Sequence, residues 1–257
     1  MKNTKNNELA VCGFAAVKTL EKVHPEKISR LYFSEERAPL FGGLCKKLAA
    51  AKLPYNKVKV ESELEKLCGS VHHQGVVAMI HTPEIQKLTK DVTARWAEEK
   101  ESAILLDRVG NANNLGAIVR SAAFFGIKNV IIPVDEAQSS VTTSSYRVAE
   151  GGMEFVNIYS VKSIEFLLED VKDRLVRIGT SLDAKKSVSD LKDLCKGKGA
   201  IIVLGNEEKG ISRGVKENCD HLVIIPFAGM NTESSGPVID SLNVAQAAAV
   251  IMYEMSR

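Results

Sequence analysis

Three short stretches of this chain hold side chains whose types and spacing suit chemistry. Asn114-Leu115-Gly116-Ala117-Ile118-Val119-Arg120 ends on an arginine, a planar fork of donors that matches a phosphate. Ala117, Ile118, Ala122, Ala123 and Phe124 make the surrounding helix apolar on most sides, so a cation here belongs at an interface or a cleft. In Leu204-Gly205-Asn206-Glu207-Glu208-Lys209-Gly210 two carboxylates lie between glycines. The glycine spacing is that of a phosphate loop, yet Ile211-Ser212 follows where such a loop requires Lys and then Ser or Thr. Carboxylates there repel phosphate and suit a cation, either a sulfonium or an arginine. The third stretch, Ser241-Leu242-Asn243-Val244-Ala245-Gln246, runs into Ala247, Ala248, Ala249, Val250 and Ile251. Ser241 and Asn243 have two readings: caps of the last helix, whose first N–H groups lack partners, or members of a site.

Each stretch must be held by the element before it. From residue 102 onward the pattern alternates regularly between strands and helices, which predicts a parallel sheet covered on both faces. Strands are expected over 103–107, 130–134, 156–159, 175–181, 200–204 and 222–225, and helices over 115–125, 139–149, 163–171 and 212–218. Gly126 is placed to end the first of these helices. The candidate chemistry then follows strand ends: Thr180, Leu204 with Gly205, and Ile225-Pro226-Phe227. Upstream, Val11, Phe14, Val17, Leu20 and Val23 recur at helical spacing, and Pro25 stops the helix. A strand over 28–33, a helix over 40–51, a short strand near Val58, a helix over 61–67 and a strand over 75–80 suggest a small α/β sandwich. Between the halves, Leu88, Val92 and Trp96 mark one amphipathic helix in a linker. The expected division is therefore 1–82, a linker over 83–100, and 101–257.

Taken together and in this order, N-x-G-A-I-x-R, L-G-x-E-x-x-G, and I-P followed by S-L-N-V resemble the signature motifs of the SpoU (TrmH-like) RNA ribose methyltransferases of the SPOUT superfamily. In the first half, His73-Gln74-Gly75-Val76 is similar to the H-Q-G segment of the L30e-like domain that many SpoU enzymes use to present RNA. His73 itself reads as a turn residue. The resemblance implies an α/β fold whose C-terminal segment threads a trefoil knot, and methyl transfer from S-adenosylmethionine to the ribose 2′-hydroxyl of rRNA or tRNA by a homodimer. It implies Asn114, Arg120, Glu207, Ser241 and Asn243 at the transfer site. Thr180, Leu204, Gly205, Asn206, Gly210, Ile225, Pro226, Phe227 and Leu242 would hold the cofactor. Arg120 has two roles open to it, binding the phosphate next to the target ribose or helping to remove the hydroxyl proton. A guanidinium resists deprotonation near neutral pH, which favours positioning and electrostatics.

Two positions depart from the family pattern: Ala245 where S-L-N-V-S is usual, and Phe227 where methionine is usual. Ala245 is the main support for a competing reading, an RNA-binding protein that keeps the fold without catalysis. Residues 229–240 are longer than the short Gly/Ser connection usual in the family, and are expected to form a loop flanking the site.

Charge is unevenly spread. Up to Thr82 there are 13 Lys and Arg against 8 Asp and Glu, and beyond it 21 against 24, so the basic half is expected to face the polyanion. The five cysteines are scattered and never form C-x-x-C, and His72 and His73 are adjacent, a poor arrangement for one ion; neither a metal site nor a disulfide framework is expected. No apolar run is long enough to span a membrane and the first residues lack the apolar core of a signal peptide, so a cytoplasmic location is expected.

Overall fold

A computed structural model describes residues 2–3, 7–135, 137–227 and 241–257. In chain order the elements of the first part are β1 (Lys2–Asn3), β2 (Glu8–Cys12), α1 (Phe14–Val23), β3 (Ile28–Phe33), α2 (Gly42–Ala50), β4 (Tyr55–Lys57), α3 (Glu61–Cys68) and β5 (Val76–His81). There follow β6 (Gln86–Lys87), α4 (Lys90–Glu99), β7 (Ala103–Asp107), α5 (Ala112–Phe124), β8 (Asn129–Pro133), α6 (Thr143–Ala149), β9 (Asn157–Val161) and α7 (Ile164–Asp170). The last are β10 (Val176–Thr180), β11 (Lys186–Ser187), α8 (Leu191–Cys195), β12 (Ala200–Gly205), α9 (Arg213–Glu217), β13 (His221–Ile224) and α10 (Val244–Ser256). The loop expected over 229–240 and the threading of the chain into α10 lie outside the described residues.

The elements group into two compact units: Met1–Glu84 with Val141–Phe155, and Ile85–Ser140 with Val156–Arg257. In the first, a mixed sheet runs β1-β2-β5-β3-β4, in which only β3 and β4 pair in parallel. The helix read as starting at Val11 starts at Phe14 instead. Val11 lies in β2, a wholly buried strand paired with β5, and the helical spacing that included it was coincidental. Gly13, at φ 98°, makes the break between strand and helix, a conformation that glycine reaches without strain. His73 is a turn residue: it is 2% exposed, and its Nδ1 accepts the Gly75 N–H at 3.1 Å.

The segment around α6 completes this unit. The helix starts late, at Thr143, because Thr142 and Ser145 cap each other through Thr142 N–H to Ser145 Oγ (2.8 Å) and Ser145 N–H to Thr142 Oγ1 (3.3 Å). Past its end, Gly151 at φ 97° packs so closely on Thr19 that a Cβ would lie 2.4 Å from the hydroxyl oxygen. The buried Glu154 carboxylate meets Lys27 Nζ at 2.9 Å and His24 Nδ1 at 2.8 Å.

The second unit is built on an eight-stranded sheet in the order β11-β13-β10-β12-β7-β8-β9-β6, parallel at every pairing. Its central strands are buried on both faces, which is why their sequences are continuously apolar. Alternate residues Ala103, Leu105, Ile201 and Val203 share one core with Trp96, Ile164, Leu168 and Val215, from α4, α7 and α9. On the other face lie α5 and α10, packed on each other. At the amino ends of β10 and β13, buried Arg177 donates to Asp220 Oδ1 (2.5 Å) and Oδ2 (3.0 Å), and this hydrogen-bonded pair holds the Asp220 carboxyl below the usual carboxylate range.

The helix read as part of a linker is a core element here: Trp96 is fully buried, edge-on to Tyr159 with ring centroids 5.4 Å apart. Trp96→Ala is expected to destabilise the protein by about 3–5 kcal/mol. Urea denaturation followed by circular dichroism checks this; a loss of under about 1 kcal/mol would place Trp96 outside the cooperative core.

Candidate active site

All the candidate residues belong to the second unit, and most lie where parallel strands end. The strands β13, β10, β12 and β7 are neighbours, so Ile225-Pro226-Phe227, Thr180, Leu204-Gly205 and the loop after Asp107 come to one edge of the sheet. In open parallel sheets this carboxyl edge is where ligands bind.

The loop after β12 is tightly built. A Cβ on Gly205 would sit 2.1 Å from the Gly210 carbonyl carbon and 2.2 Å from the Ile211 nitrogen. Gly205 is therefore bare so that the returning chain can close against it. Gly210 takes φ 64°, and its N–H donates to the Asn206 carbonyl at 2.8 Å. The Asn206 side chain is spent on the same loop. Its Oδ1 accepts the N–H groups of Glu208 (3.0 Å) and Lys209 (3.1 Å), and its Nδ2 donates to the Arg108 carbonyl at 3.1 Å. Most of the hydrogen-bonding capacity of the Asn206 side chain is thus used within the loop. The Thr180 hydroxyl likewise donates to the Val203 carbonyl at 3.1 Å, joining β10 to β12.

The three stretches singled out from sequence meet through side chains. Asn111, not Asn114, caps α5, its Oδ1 accepting the Asn113 N–H at 2.8 Å, which leaves Asn114 in the first turn with its amide available. Asn114 Nδ2 donates to Glu207, and Asn114 Oδ1 accepts from Asn243 Nδ2 at 3.2 Å. Asn243 also caps α10, taking the Ala245 N–H on its Oδ1 at 2.9 Å. Capping and site membership therefore coexist in one side chain. Ala245 is buried, so the departure from serine falls on a packed surface. Ser241 and Leu242 are exposed beside this cluster in sequence, and Phe227, three residues beyond the end of β13, is exposed as well. The exposed apolar surfaces of Phe227 and Leu242 suit a purine ring, and the acidic, exposed Glu207 suits a cation; the donor set fits S-adenosylmethionine.

Arg120 stands on another side of α5 from Asn114. It is exposed, six residues beyond Asn114 and so about 120° from it around α5. It shares its helix face instead with Phe124, four residues on and 83% exposed. Phe124 stands edge-on to Phe125, which meets Tyr253 of α10 at 6.2 Å between centroids.

Sequence reasoning missed Asp107 and Arg108. The Asp107 carboxylate is buried at the end of β7 and accepts the Ser212 N–H (2.7 Å) and Arg108 Nε (2.8 Å). This bond to Asp107 raises the affinity of the guanidinium for its proton. The available signal was a carboxylate closing an otherwise apolar run. Gln138 was also missed; its amide bonds both the N–H (2.9 Å) and the carbonyl (3.0 Å) of Val109. Among the described residues no group of three His, Cys, Asp or Glu side chains is placed to hold a metal ion.

Residues 101–253 match the SpoU rRNA Methylase family, and residues 10–86 match the family described as RNA 2'-O ribose methyltransferase substrate binding. The chain belongs to the SpoU rRNA methylase family. It is 31% identical over 251 residues to the 23S rRNA (guanosine-2'-O-)-methyltransferase RlmB of Pseudomonas aeruginosa, across 96% of this chain and 95% of that one. A putative TrmH family tRNA/rRNA methyltransferase of Bacillus subtilis, YacO, is 33% identical over 72% of this chain and 70% of its own. In fold, the chain is similar to the SpoU methyltransferase AviRb of Streptomyces viridochromogenes, solved with AdoMet, at a TM-score of 0.73 and 24% identity, covering 98% of this chain and 91% of that one. A SpoU methylase of this kind is an S-adenosylmethionine-dependent RNA 2′-O-methyltransferase, so the reading as a binding protein without catalysis is set aside.

The amide bridge of Asn114 generates a test. Asn114→Ala and Asn243→Ala are each expected to slow RNA methylation by about 10-fold or more, with a coupling of about 0.5–3 kcal/mol in the double mutant. Initial rates with saturating cofactor measure it, and strict additivity would show that the two amides act separately.

Proposed function

We propose that this protein methylates a guanosine ribose in large-subunit ribosomal RNA, acting in the cytoplasm as a homodimer. The observation carrying the site assignment is the bonded run Glu207–Asn114–Asn243, which joins three separate family motifs at the carboxyl edge of one sheet. The rRNA assignment rests on similarity to proteins named 23S rRNA (guanosine-2'-O-)-methyltransferase, among them that of Acinetobacter baylyi at 32% identity over 95% of both chains.

The cofactor, when bound, supplies a methyl group already activated by its sulfonium charge. The protein then has to align a ribose oxygen with that carbon and accommodate one proton. Residues Thr180, Leu204, Gly205, Asn206, Gly210, Ile225, Pro226, Phe227 and Leu242 form the cofactor side of the site, chiefly through backbone groups and apolar surface. Glu207, oriented by Asn114, offers its remaining lone pairs to the ribose hydroxyl. Ser241 and Asn243 line the same edge, and Arg120 takes a neighbouring phosphate through its fork.

The dimer reading is supported by the exposed aromatic face on α5 and α10, formed by Phe124, Phe125 and Tyr253. Since Arg120 shares the Phe124 face and not the Asn114 face, a dimer closed there brings each Arg120 to the partner's site. The basic excess up to Thr82 supplies nonspecific attraction for RNA.

Mapping 2′-O-methyl groups in total rRNA and tRNA from a deletion strain tests the target. One guanosine methyl should vanish from large-subunit rRNA and return on complementation; a loss confined to tRNA would overturn the assignment. Arg120→Ala should lower methylation by about 100-fold or more with cofactor binding nearly unchanged. Mixed dimers of Arg120→Ala with Asn243→Ala subunits should regain part of the activity if the arginine serves the partner. Phe124→Asp should shift the protein from dimer to monomer in analytical ultracentrifugation.

A further inference from the structure

Arg108 holds a backbone conformation that L residues rarely take, with φ 60°, at the first position beyond β7. Glycine would meet that conformation without strain, so the reason for an arginine lies in its side chain. Strained positions of this kind gather at functional sites. Here the residue stands at the carboxyl edge of the sheet, between the strand that leads to Asn114 and the loop that carries Glu207, and its carbonyl receives Asn206 Nδ2 at 3.1 Å.

Its side chain is aimed. The Asp107 carboxylate is 5% exposed and is fixed by the Ser212 N–H; it takes Arg108 Nε at 2.8 Å and, at a longer 3.5 Å, Nη2. Nη1 and the outer donor of Nη2 have no partner among the described residues, and the side chain is 31% exposed. A guanidinium gripped along one edge presents its other donors as a rigid pair, the geometry that recognises an oxyanion. Asp107, Asp135 and Glu165 surround it with negative potential, so it does not attract anions from a distance. Its contribution is local and geometric.

We infer that Arg108 is an oxyanion-binding residue of the methyl-transfer site, contacting either an RNA phosphate or the carboxylate at the methionine end of the cofactor. The inference rests on the methyltransferase reading for its ligands. It assigns to this position a role separate from that of Arg120, which lies on α5 and not at the end of β7.

Arg108→Gly keeps the backbone conformation, because glycine suits the φ, and removes the side chain together with its bond to Asp107. Three quantities are measured on the full-length protein: S-adenosylhomocysteine binding by calorimetry, 5′-methylthioadenosine binding, and methylation of rRNA extracted from a deletion strain. If the ligand is a phosphate, the KM for RNA rises by about 10- to 100-fold while both nucleosides bind as before. If it is the carboxylate, S-adenosylhomocysteine weakens by a similar factor and 5′-methylthioadenosine, which lacks that group, does not. Arg108→Lys, which keeps the charge beside Asp107 but not the fork, should retain most of the defect. Unchanged values throughout overturn the inference. So does equal weakening of both nucleosides, which would mark the arginine as a support of the loop alone. Should the wild-type protein bind S-adenosylhomocysteine but methylate no RNA, the RNA reading fails, and the nucleoside pair still decides whether Arg108 binds an oxyanion.

Discussion

The Asp107 carboxylate, buried where β7 ends, is the constraint on which the geometry of the site depends. A buried carboxylate is costly unless its oxygens are bonded. Here it is satisfied by the Ser212 N–H on one side and by Arg108 on the other. Those bonds tie the loop after β7 to the far end of the loop after β12. The Arg108 carbonyl adds a second tie through Asn206, and Gly205 lets the returning backbone press directly on the strand end. With the two loops joined at these points, the bonds from Asn114 to Glu207 and from Asn243 to Asn114 connect them to the final helix. The site is thus held largely by backbone groups and by the buried Asp107 carboxylate.

The sheet itself was legible in the sequence because strands buried on both faces read as uninterrupted apolar runs, as in β7 and β12. The three motif stretches were legible as well, since side chains such as Asn114 and Glu207 lie at strand-to-helix junctions. What was not legible depended on contacts made across the chain. Val11 fitted a helical period and still belongs to a strand, because pairing with β5 outweighs local spacing. Trp96 looked like one face of a lone amphipathic helix, and only the tertiary contact with Tyr159 makes it core. Asp107 and Arg108 carried no periodic signal. Their role follows from φ and hydrogen bonding, neither of which a single sequence displays. The short β11 and α8 were not anticipated, being too brief to show a period.

The exposed aromatic face and the amide cluster use opposite economies of the same helix. α5 buries Leu115, Ile118, Val119 and Ala122 against its own unit, gives its first turn to Asn114, and leaves Phe124 bare at its end. A thirteen-residue helix can serve these uses together only because its three-and-a-half turns present distinct faces. Capping by Asn111 frees Asn114 for the site, so the choice of cap one turn earlier has a direct bearing on chemistry.

The placement of Val141–Phe155 with the first unit means that this unit is written in two separate pieces of the gene. Chain passes between the units three times, so a single protease cut near residue 84 would not free the smaller one. Tyr146 and Ala149 of α6 would keep their buried contacts, and Glu154 its grip on His24 and Lys27. An expressed fragment ending at residue 84 would instead lack a helix of its own packing and present bare apolar surface. The unit is therefore not a cassette that recombination can move as one block, and its exchange between relatives would have to carry the inner segment along with the outer one.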